Sequence, residues 1–277
     1  GGWWIGIFAV RPVESISKVV TSIKAEDLGK RLPDGYREDE IGELARLIND
    51  MLERIESGYE QAKRFTADAS HELRTPLAIL QGELEAKMRD SENDIEAFGR
   101  MLEEIRRLKT LTHSLLFLSK ADSGTLKVSN ERVDLSSLVK QTIEDIRDLA
   151  DDDSLIFEFE EEQDDAVCSG DASLIQQTLM NLLRNAVKFN RVGGKVVCRL
   201  TTRDSFWVIS VGNNGEGIPS DLRGKIFERF YHKEEERSRD KGGFGLGLNI
   251  AREIARIHGG DVFLGRSETD WVVFEFT

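Results

Sequence analysis

The sequence predicts a multidomain protein in which all-α four-helix bundles, formed by two copies of the chain, are followed by an α+β sandwich. The hydrophobic share of the 277 residues is 39% and the charged share is 32%, a balance typical of long exposed helices with narrow apolar seams. Apolar residues recur at helical spacing in the first half, whereas strand patterns alternate with helices in the second half.

The composition also limits the classes of function. Lysine and arginine total 38 against 51 aspartates and glutamates, so the formal net charge is −13, which argues against binding to nucleic acid. The chain has 2 cysteines, Cys168 and Cys198, without metal-ligand spacing. This excludes a disulfide framework and favours a reducing, cytoplasmic compartment.

Residues 1–10 carry no charge and include two tryptophans, a composition typical of the interfacial end of a membrane helix. A full crossing needs about 20 apolar residues, so this segment is half a span, and it lacks the basic start of a signal peptide. We expect the end of a truncated transmembrane helix at residues 1–10. An apolar strand or a tag remnant is the alternative.

The next segment, residues 11–57, predicts a bundle of two short helices. An amphipathic helix is expected at residues 13–23, followed by a polar connector at residues 24–39. A heptad seam then follows, formed by Ile41, Leu44, Ile48, Met51 and Ile55. Two short helices cannot bury two seams alone, so a symmetric dimer that forms a parallel four-helix bundle is predicted.

A helical hairpin is predicted at residues 58–124. The first helix continues to about Arg89, and Pro76 should kink it because proline lacks the backbone donor. The second helix ends at Ser123 and Gly124. Its seam consists of Ile95, Phe98, Leu102, Ile105, Leu108, Leu115 and Leu118. This hairpin also lacks partners and is suited to a dimer.

From about residue 130 the pattern changes to that of a compact α+β domain, residues 130–277. Helices are expected at residues 171–189 and 248–258, and another that carries Leu138, Val139, Ile146 and Leu149. Strands are expected at residues 156–159, 196–200, 206–211, 262–264 and 271–276. Long helices among hairpin-like strands predict helices on one face of a mixed sheet.

Residues 71–76, which read His-Glu-Leu-Arg-Thr-Pro, carry the first chemical signal. The neutral imidazole of His71 offers a nucleophilic nitrogen, and Glu72 beside it could accept the proton of the other ring nitrogen. On a helix, Thr75 shares a face with His71 one turn away. An exposed histidine in a charged helix is the alternative interpretation.

Two glycine clusters, residues 213–219 and 242–248, carry the second signal. Glycines allow a backbone to approach a phosphate closely, and the helix expected after the second cluster offers anion-binding amides. The intervening segment is basic, with Arg229, His232, Lys233, Arg237, Arg239 and Lys241, and predicts a mobile lid over a polyphosphate. A flexible surface loop is the alternative. The order of elements excludes a P-loop.

The third signal is a polar stripe on the helix at residues 171–189. Asn181, Asn185 and Lys188 are spaced by 4 and 3 residues and therefore share a face. Asparagine oxygens suit Mg²⁺, and lysine neutralises phosphate charge. A merely solvated face does not need two asparagines, which are mediocre helix formers.

These motifs together resemble those of bacterial two-component sensor histidine kinases. The phosphoacceptor motif stands at residues 65–77, the asparagine motif at 181–189, the phenylalanine motif at 226–231 and the second glycine motif at 242–248. Residues 11–57 resemble the HAMP relay module. The resemblance implies an ATP-binding domain of the histidine kinase, gyrase and chaperone type, at residues 130–277.

The resemblance further implies a reaction. The γ-phosphoryl group of ATP would pass to His71 with Glu72 as general base, and then to an aspartate of a response-regulator receiver domain. Thr75 resembles the residue that orients water in dephosphorylation, and Asn185 matches a ligand of Mg²⁺. The implied nucleotide-binding residues are Asn181, Asn185, Lys188, Phe189, Asn213, Gly215, Gly217, Ile218, Gly243, Gly245, Leu246 and Gly247. A homodimer in the bacterial inner membrane, with this chain as its cytoplasmic portion, is implied as well.

The chain departs from the family pattern at one position. The first glycine motif of the family opens with an aspartate that accepts a hydrogen bond from the adenine amino group, and this sequence has Asn213. A bond to a charged group contributes about 1.5–3 kcal/mol, so a tenfold to hundredfold loss of ATP affinity is one expectation. A catalytically impaired signalling scaffold or a phosphatase-biased sensor is therefore the alternative function. A topoisomerase-like or chaperone-like ATPase does not account for the histidine motif.

Overall fold

The computed structural model describes residues 29–33, 40–89, 95–149, 154–162, 165–204, 206–232 and 243–277. The interpretations of residues 1–10 and 13–23, and of the basic residues at positions 233–241, lie outside these ranges. The chain divides into two compact units, residues 1–74 and 75–277, and each is described by itself.

The N-terminal unit contains most of one long helix, α1 (Glu40–Arg89), which is uninterrupted at Pro76. Before it, the connector residue Leu32 is buried with Ala45, and Ile41 and Ile48 of the predicted seam pack against them. Ala45 was not part of that seam, whose other members, Leu44, Met51 and Ile55, are exposed. The Asn49 side chain accepts a hydrogen bond from Leu32 N (2.9 Å) and donates one to Leu32 O (3.2 Å). The backbone N–H and C=O of Leu32 are thus both hydrogen-bonded by a side chain of α1.

The second helix of the hairpin, α2 (Ile95–Asp122), buries Met101, Leu111 and Leu118. It ends in a Schellman-type cap, because Gly124 (φ 64°) donates to Ala121 O at 3.0 Å and Thr125 donates to Lys120 O at 3.0 Å. The predicted stop is confirmed, and a short linker, residues 123–130, leads on. Within the described ranges, no helix is long and apolar enough to cross a membrane.

The remainder forms an α/β domain. Its elements are β1 (Glu131–Asp134), α3 (Leu135–Leu149), β2 (Ile156–Glu161), β3 (Val167–Gly170), α4 (Ala172–Lys188), β4 (Lys195–Arg203), β5 (Phe206–Asn213), a 3₁₀ turn (Lys225–Phe227), α5 (Gly247–Ile257), β6 (Val262–Ser267) and β7 (Val272–Phe276). Helices followed by an α/β domain confirm the predicted fold class. The small strands β1 and β3 and the 3₁₀ turn were not predicted.

The strands form a mixed sheet of order β2-β4-β5-β7-β6, in which β2 and β4 are parallel and the other pairs are antiparallel. β1 and β3 form a separate antiparallel pair. On β4, buried Val196, Cys198 and Leu200 alternate with exposed Arg199, so the helices cover one face. The other face carries cross-strand ion pairs such as Arg199 with Glu160, and it meets solvent.

Candidate nucleotide and phosphoacceptor site

Helix α4 places the asparagine stripe beside the start of α5. Its apolar face, which includes Leu179, Leu182 and Leu183, is buried and leaves the polar stripe at the rim. Asn181 lies against Gly247: a Cβ atom added at Gly247 would be 3.7 Å from Asn181 Oδ1. The Nδ2 atom of Asn181 is buried without a hydrogen-bond partner. A buried donor left unpaired is costly, so this atom indicates a ligand-facing position.

Asp171 begins α4 as an N-cap and accepts hydrogen bonds from Ser173 N and Leu174 N, each at 3.1 Å. Its other oxygen accepts from Ser129 N at 3.0 Å. Partial burial by itself raises the pKa of Asp171, but these donors outweigh it and hold the pKa below its ordinary value. The carboxylate therefore stays charged and fixes the start of the asparagine helix.

His258, at the end of α5, connects the two helices. Its Nε2 accepts the N–H of Asp171 at 3.0 Å, and its Nδ1 lies 2.8 Å from Ile254 O. A side chain at Gly170 would come within 2.9 Å of the imidazole. Sequence reasoning missed this contact because nothing in the pattern relates residues 87 positions apart.

The first glycine cluster continues from the end of β5. Asn213 is buried, and its Nδ2 donates to Phe189 O at 3.3 Å. A side chain at Gly215 would come within 2.5 Å of the same carbonyl, and one at Gly217 within 2.4 Å of Glu268 O. Glycine is therefore required at both positions for the backbones to approach. Because the amide nitrogen of Asn213 faces Phe189, its Oδ1 is turned away as an acceptor.

The asparagine stripe of α4, the two glycine clusters and the first turn of α5 together form a cradle. Two further residues complete its side at the first glycine cluster. The Ile218 N–H donates to Ser267 Oγ at 2.7 Å, which joins the glycine cluster to the end of β6. The ring of Phe189 is exposed, and Lys188 Nζ lies 4.6 Å from its centroid. Ser267 was not singled out from the sequence, since a lone serine gives no signal.

The second glycine cluster leads into α5. Gly245 has φ 65°, and a side chain there would come within 2.6 Å of Tyr231 O. Leu246 is buried at the N-cap position and gives no side-chain cap, so the first-turn amides of α5 are not capped by it. Such amides at a helix N-terminus attract phosphate. Gly243 is exposed and its surroundings are open.

The segment before residues 233–242 differs from the sequence interpretation. Arg229 was assigned to a solvated basic lid, yet its side chain is only 12% exposed. It binds both carboxylate oxygens of Asp122 at 2.7 and 2.9 Å and Asn249 Oδ1 at 3.2 Å. Arg229 is thus an anchoring residue. The assignment was wrong because a charge pattern cannot reveal an acidic partner 107 residues away.

The phosphoacceptor residues lie on α1. His71 and Thr75 are exposed one turn apart, Glu72 is half-buried, and Pro76 is buried. Proline provides no N–H, so the carbonyl of Glu72 lacks its helical donor. His71, Glu72 and Thr75 form one group on a helix, and the residues of the cradle form another in the α/β domain.

The cradle fits a nucleotide and a divalent ion. It combines an orphaned buried amide at Asn181, close-approach glycines and uncapped amides at a helix start. Among the described residues, no three acidic, histidine or cysteine side chains gather as a metal site. Asparagine oxygens, phosphate oxygens and water are ligands of the kind that Mg²⁺ favours.

Three segments of the chain match models of known protein families. Residues 170–277 match the family described as histidine kinase-, DNA gyrase B- and HSP90-like ATPase. Residues 61–124 match the His Kinase A (phospho-acceptor) domain, and residues 4–57 match the HAMP domain.

Among curated proteins, the probable sensor protein PcoS of Escherichia coli is 31% identical over 266 residues, covering 94% of this chain and 56% of that protein. Sensor protein CutS of Streptomyces coelicolor is 32% identical over 270 residues, covering 96% of this chain and 64% of that protein. The chain thus spans little more than half the length of these relatives.

Two solved structures share the fold. The histidine kinase AdeS of Acinetobacter baumannii has a TM-score of 0.61 at 24% identity, covering 74% of this chain and 95% of that one. The histidine kinase ThkA, solved in complex with the response regulator protein TrrA, has a TM-score of 0.57 at 24% identity, covering 80% of this chain and 65% of that one.

Proposed function

Because this chain belongs to the sensor histidine kinases, with HAMP, phosphoacceptor and ATPase domains in order, we propose that it transfers the γ-phosphoryl group of ATP to His71. One observation carries the proposal: an exposed histidine lies in the matched phosphoacceptor segment, and a nucleotide cradle lies in the matched ATPase segment. We assign the relay domain to residues 11–57, the phosphotransfer hairpin to 58–124 and the catalytic domain to 130–277.

In this proposal the cradle binds and orients the nucleotide. The orphaned Asn181 Nδ2 donates to a phosphate oxygen, and Lys188 neutralises phosphate charge. The backbone of Gly243, Gly245, Leu246 and Gly247 approaches the phosphates. Asn185 Oδ1 would hold Mg²⁺, which would supply positive charge beside the phosphates when bound.

Asn213 is proposed to recognise the base. Its amide nitrogen is engaged by Phe189 O, so Oδ1 is the atom available to accept a hydrogen bond from an exocyclic amino group. Gly215, Gly217 and Ile218 shape this wall of the cradle. An acceptor retained at this position supports a nucleotide-using kinase over an impaired scaffold.

At His71, one ring nitrogen forms a bond to the γ-phosphorus as the bond from that phosphorus to the bridging oxygen breaks and ADP leaves. Glu72 takes the proton from the other ring nitrogen, which keeps the phosphorylated ring neutral. The phosphoryl group then passes to an aspartate carboxylate of a response regulator, an expectation supported by the ThkA–TrrA complex. Thr75, one turn along the helix, orients water when the partner is dephosphorylated.

The two helices of the hairpin also support a proposal about the oligomeric state. We propose that α1 and α2 pair with a second copy, as the phosphoacceptor domain match implies. The HAMP match supports a sensor whose other parts lie in the bacterial inner membrane, with this chain on the cytoplasmic side.

Incubation with γ-labelled ATP and Mg²⁺ tests the proposed reaction. We expect acid-labile, base-stable label on the wild type and no label on His71→Ala, because the phosphoramidate acceptor is lost. His113→Ala, which removes an exposed histidine from α2, is the matched control and should label normally. Label that persists in His71→Ala, or its absence from a wild type that binds ATP, contradicts the proposal.

A further inference from the structure

An ion pair made by the side chain of Arg229 joins the end of the hairpin to the nucleotide domain. Its fork binds both oxygens of Asp122, the last residue of α2, at 2.7 and 2.9 Å. The arginine is 12% exposed, whereas Asp122 is 49% exposed. A planar guanidinium held by two oxygens has one orientation, so the position of Asp122 dictates that of Arg229.

Arg229 transmits this position into the cradle. Its Nε donates to Asn249 Oδ1 (3.2 Å) in the first turn of α5, and Asn249 Nδ2 donates to Phe227 O (3.0 Å). Phe230, which follows Arg229 in the chain, has φ 60° and donates its N–H to Gly245 O at 3.0 Å. The segment 227–231 is therefore fixed against both the second glycine cluster and the α5 N-terminus.

A second contact joins α2 to the glycine cluster itself. The guanidinium of Arg107 lies 5.8 Å from the centroid of the Phe244 ring, within the range of a cation–π interaction. Residues on both sides of positions 233–242 thus contact the same helix. The two contacts are 15 positions apart on α2, so together they span the second half of that helix.

We propose that Asp122 is a positioning residue for the nucleotide: through Arg229 it orders residues 227–231 and 243–249, and so couples docking of the α/β domain on α2 to occupancy of the cradle. The inference rests on the proposed function. Because coupling is reciprocal, a bound nucleotide must strengthen the docking by the same factor by which the docking strengthens nucleotide binding.

Calorimetry on the full chain with Mg²⁺ and a non-hydrolysable ATP analogue tests this coupling. For Asp122→Asn we expect Kd to rise about fivefold, the lower end of usual coupling between sites. Arg229→Lys should have a similar effect, because lysine keeps the charge but cannot bind both Asp122 oxygens and Asn249. Asp122→Glu keeps the carboxylate and should restore most of the affinity.

Glu160→Gln is the matched control, since it removes a carboxylate from another arginine pair, that with Arg199 on the outer face of the sheet. Kd should not change in this variant. The nucleotide-free melting temperatures of Asp122→Asn and Glu160→Gln should agree. An unchanged Kd in Asp122→Asn, or a fall in its melting temperature well beyond the control, overturns the positioning role.

Hydrogen exchange supplies the reciprocal measurement. The analogue should slow amide exchange in residues 115–125 of the wild type and leave it unchanged in Asp122→Asn. Equal slowing in both proteins contradicts the coupling. A wild type that binds no analogue instead refutes the proposed function, so the two failures are distinguishable.

Discussion

The hairpin helices and the α/β domain handle their apolar side chains in opposite ways. In the domain, Leu182, Leu183 and Ile254 are at most 1% exposed, whereas Phe98 and Ile105 on α2 are 54% and 53% exposed. The domain therefore completes its hydrophobic core within one chain. The helices hold an exposed apolar stripe, and its burial in the proposed dimer would contribute about 25 cal/mol per Å².

The largest expected effect is the dissociation of the proposed dimer. Ile105→Lys places a charge on the exposed stripe that also contains Leu102 and Leu116. An unpaired charge buried at a dimer seam costs several kcal/mol, so the dimer Kd should rise at least about a hundredfold. Sedimentation over a range of concentrations measures the change.

Thr110→Lys, which adds the same charge on the polar side of α2, is the control and should leave the dimer intact. Both variants should still bind nucleotide, because the residues of the cradle lie in the α/β domain. A dimer that persists in Ile105→Lys would show that this stripe faces solvent in the assembled protein.

The next effect concerns the domain alone. Gly245→Ala strains a backbone at φ 65° and drives Cβ to 2.6 Å from Tyr231 O. The cluster must shift, and we expect nucleotide affinity to fall about tenfold or more, since such strain costs about 1–3 kcal/mol. Gly243→Ala, which meets open space, should bind normally in calorimetry. Similar losses in both variants would mean that general rigidity, and not the Gly245 turn, governs binding.

We expect Asn213→Asp to raise the affinity for nucleotide and to lower the stability of the nucleotide-free protein. The charged acceptor should bind the base amino group more strongly, lowering Kd about threefold to tenfold. Without nucleotide the variant should melt earlier, because the bond from Nδ2 to Phe189 O is lost and a carboxylate faces a carbonyl. Calorimetry and thermal unfolding measure the two effects. Unchanged affinity would remove Asn213 from the base-binding wall.

The smallest effect is the pH dependence of the α4 cap. Asp171→Ala should cost about 1 kcal/mol at pH 7, as for other N-caps. The pKa of Asp171 is lowered in the folded state, so its contribution is complete above the unfolded value near 3.9 and is lost as pH falls through the lower folded value. Denaturant unfolding from pH 7 to 3 should show the difference shrink. Asp221→Ala, at an exposed position, is the control and should cost less than Asp171→Ala at pH 7.

The two regions also differ in how far the sequence reveals them. Period and glycine spacing predict the helices, the main sheet and the fold class, because each depends on neighbours in sequence. Strands β1 and β3 have four residues each and too little alternation to detect. The contacts of Arg229 with Asp122 and of His258 with Asp171 were missed, since such pairs exist only after the chain has folded.

The eight-residue linker after α2 sets the effective concentration of the α/β domain at the hairpin. At no more than about 3.6 Å per residue, residues 123–130 keep the start of the α/β domain within about 29 Å of the end of the hairpin. A short tether holds its two ends at a millimolar effective concentration. An interaction between domain and helices that is weak in free solution is then frequently made, so the proposed transfer to His71 would require no tight docking surface.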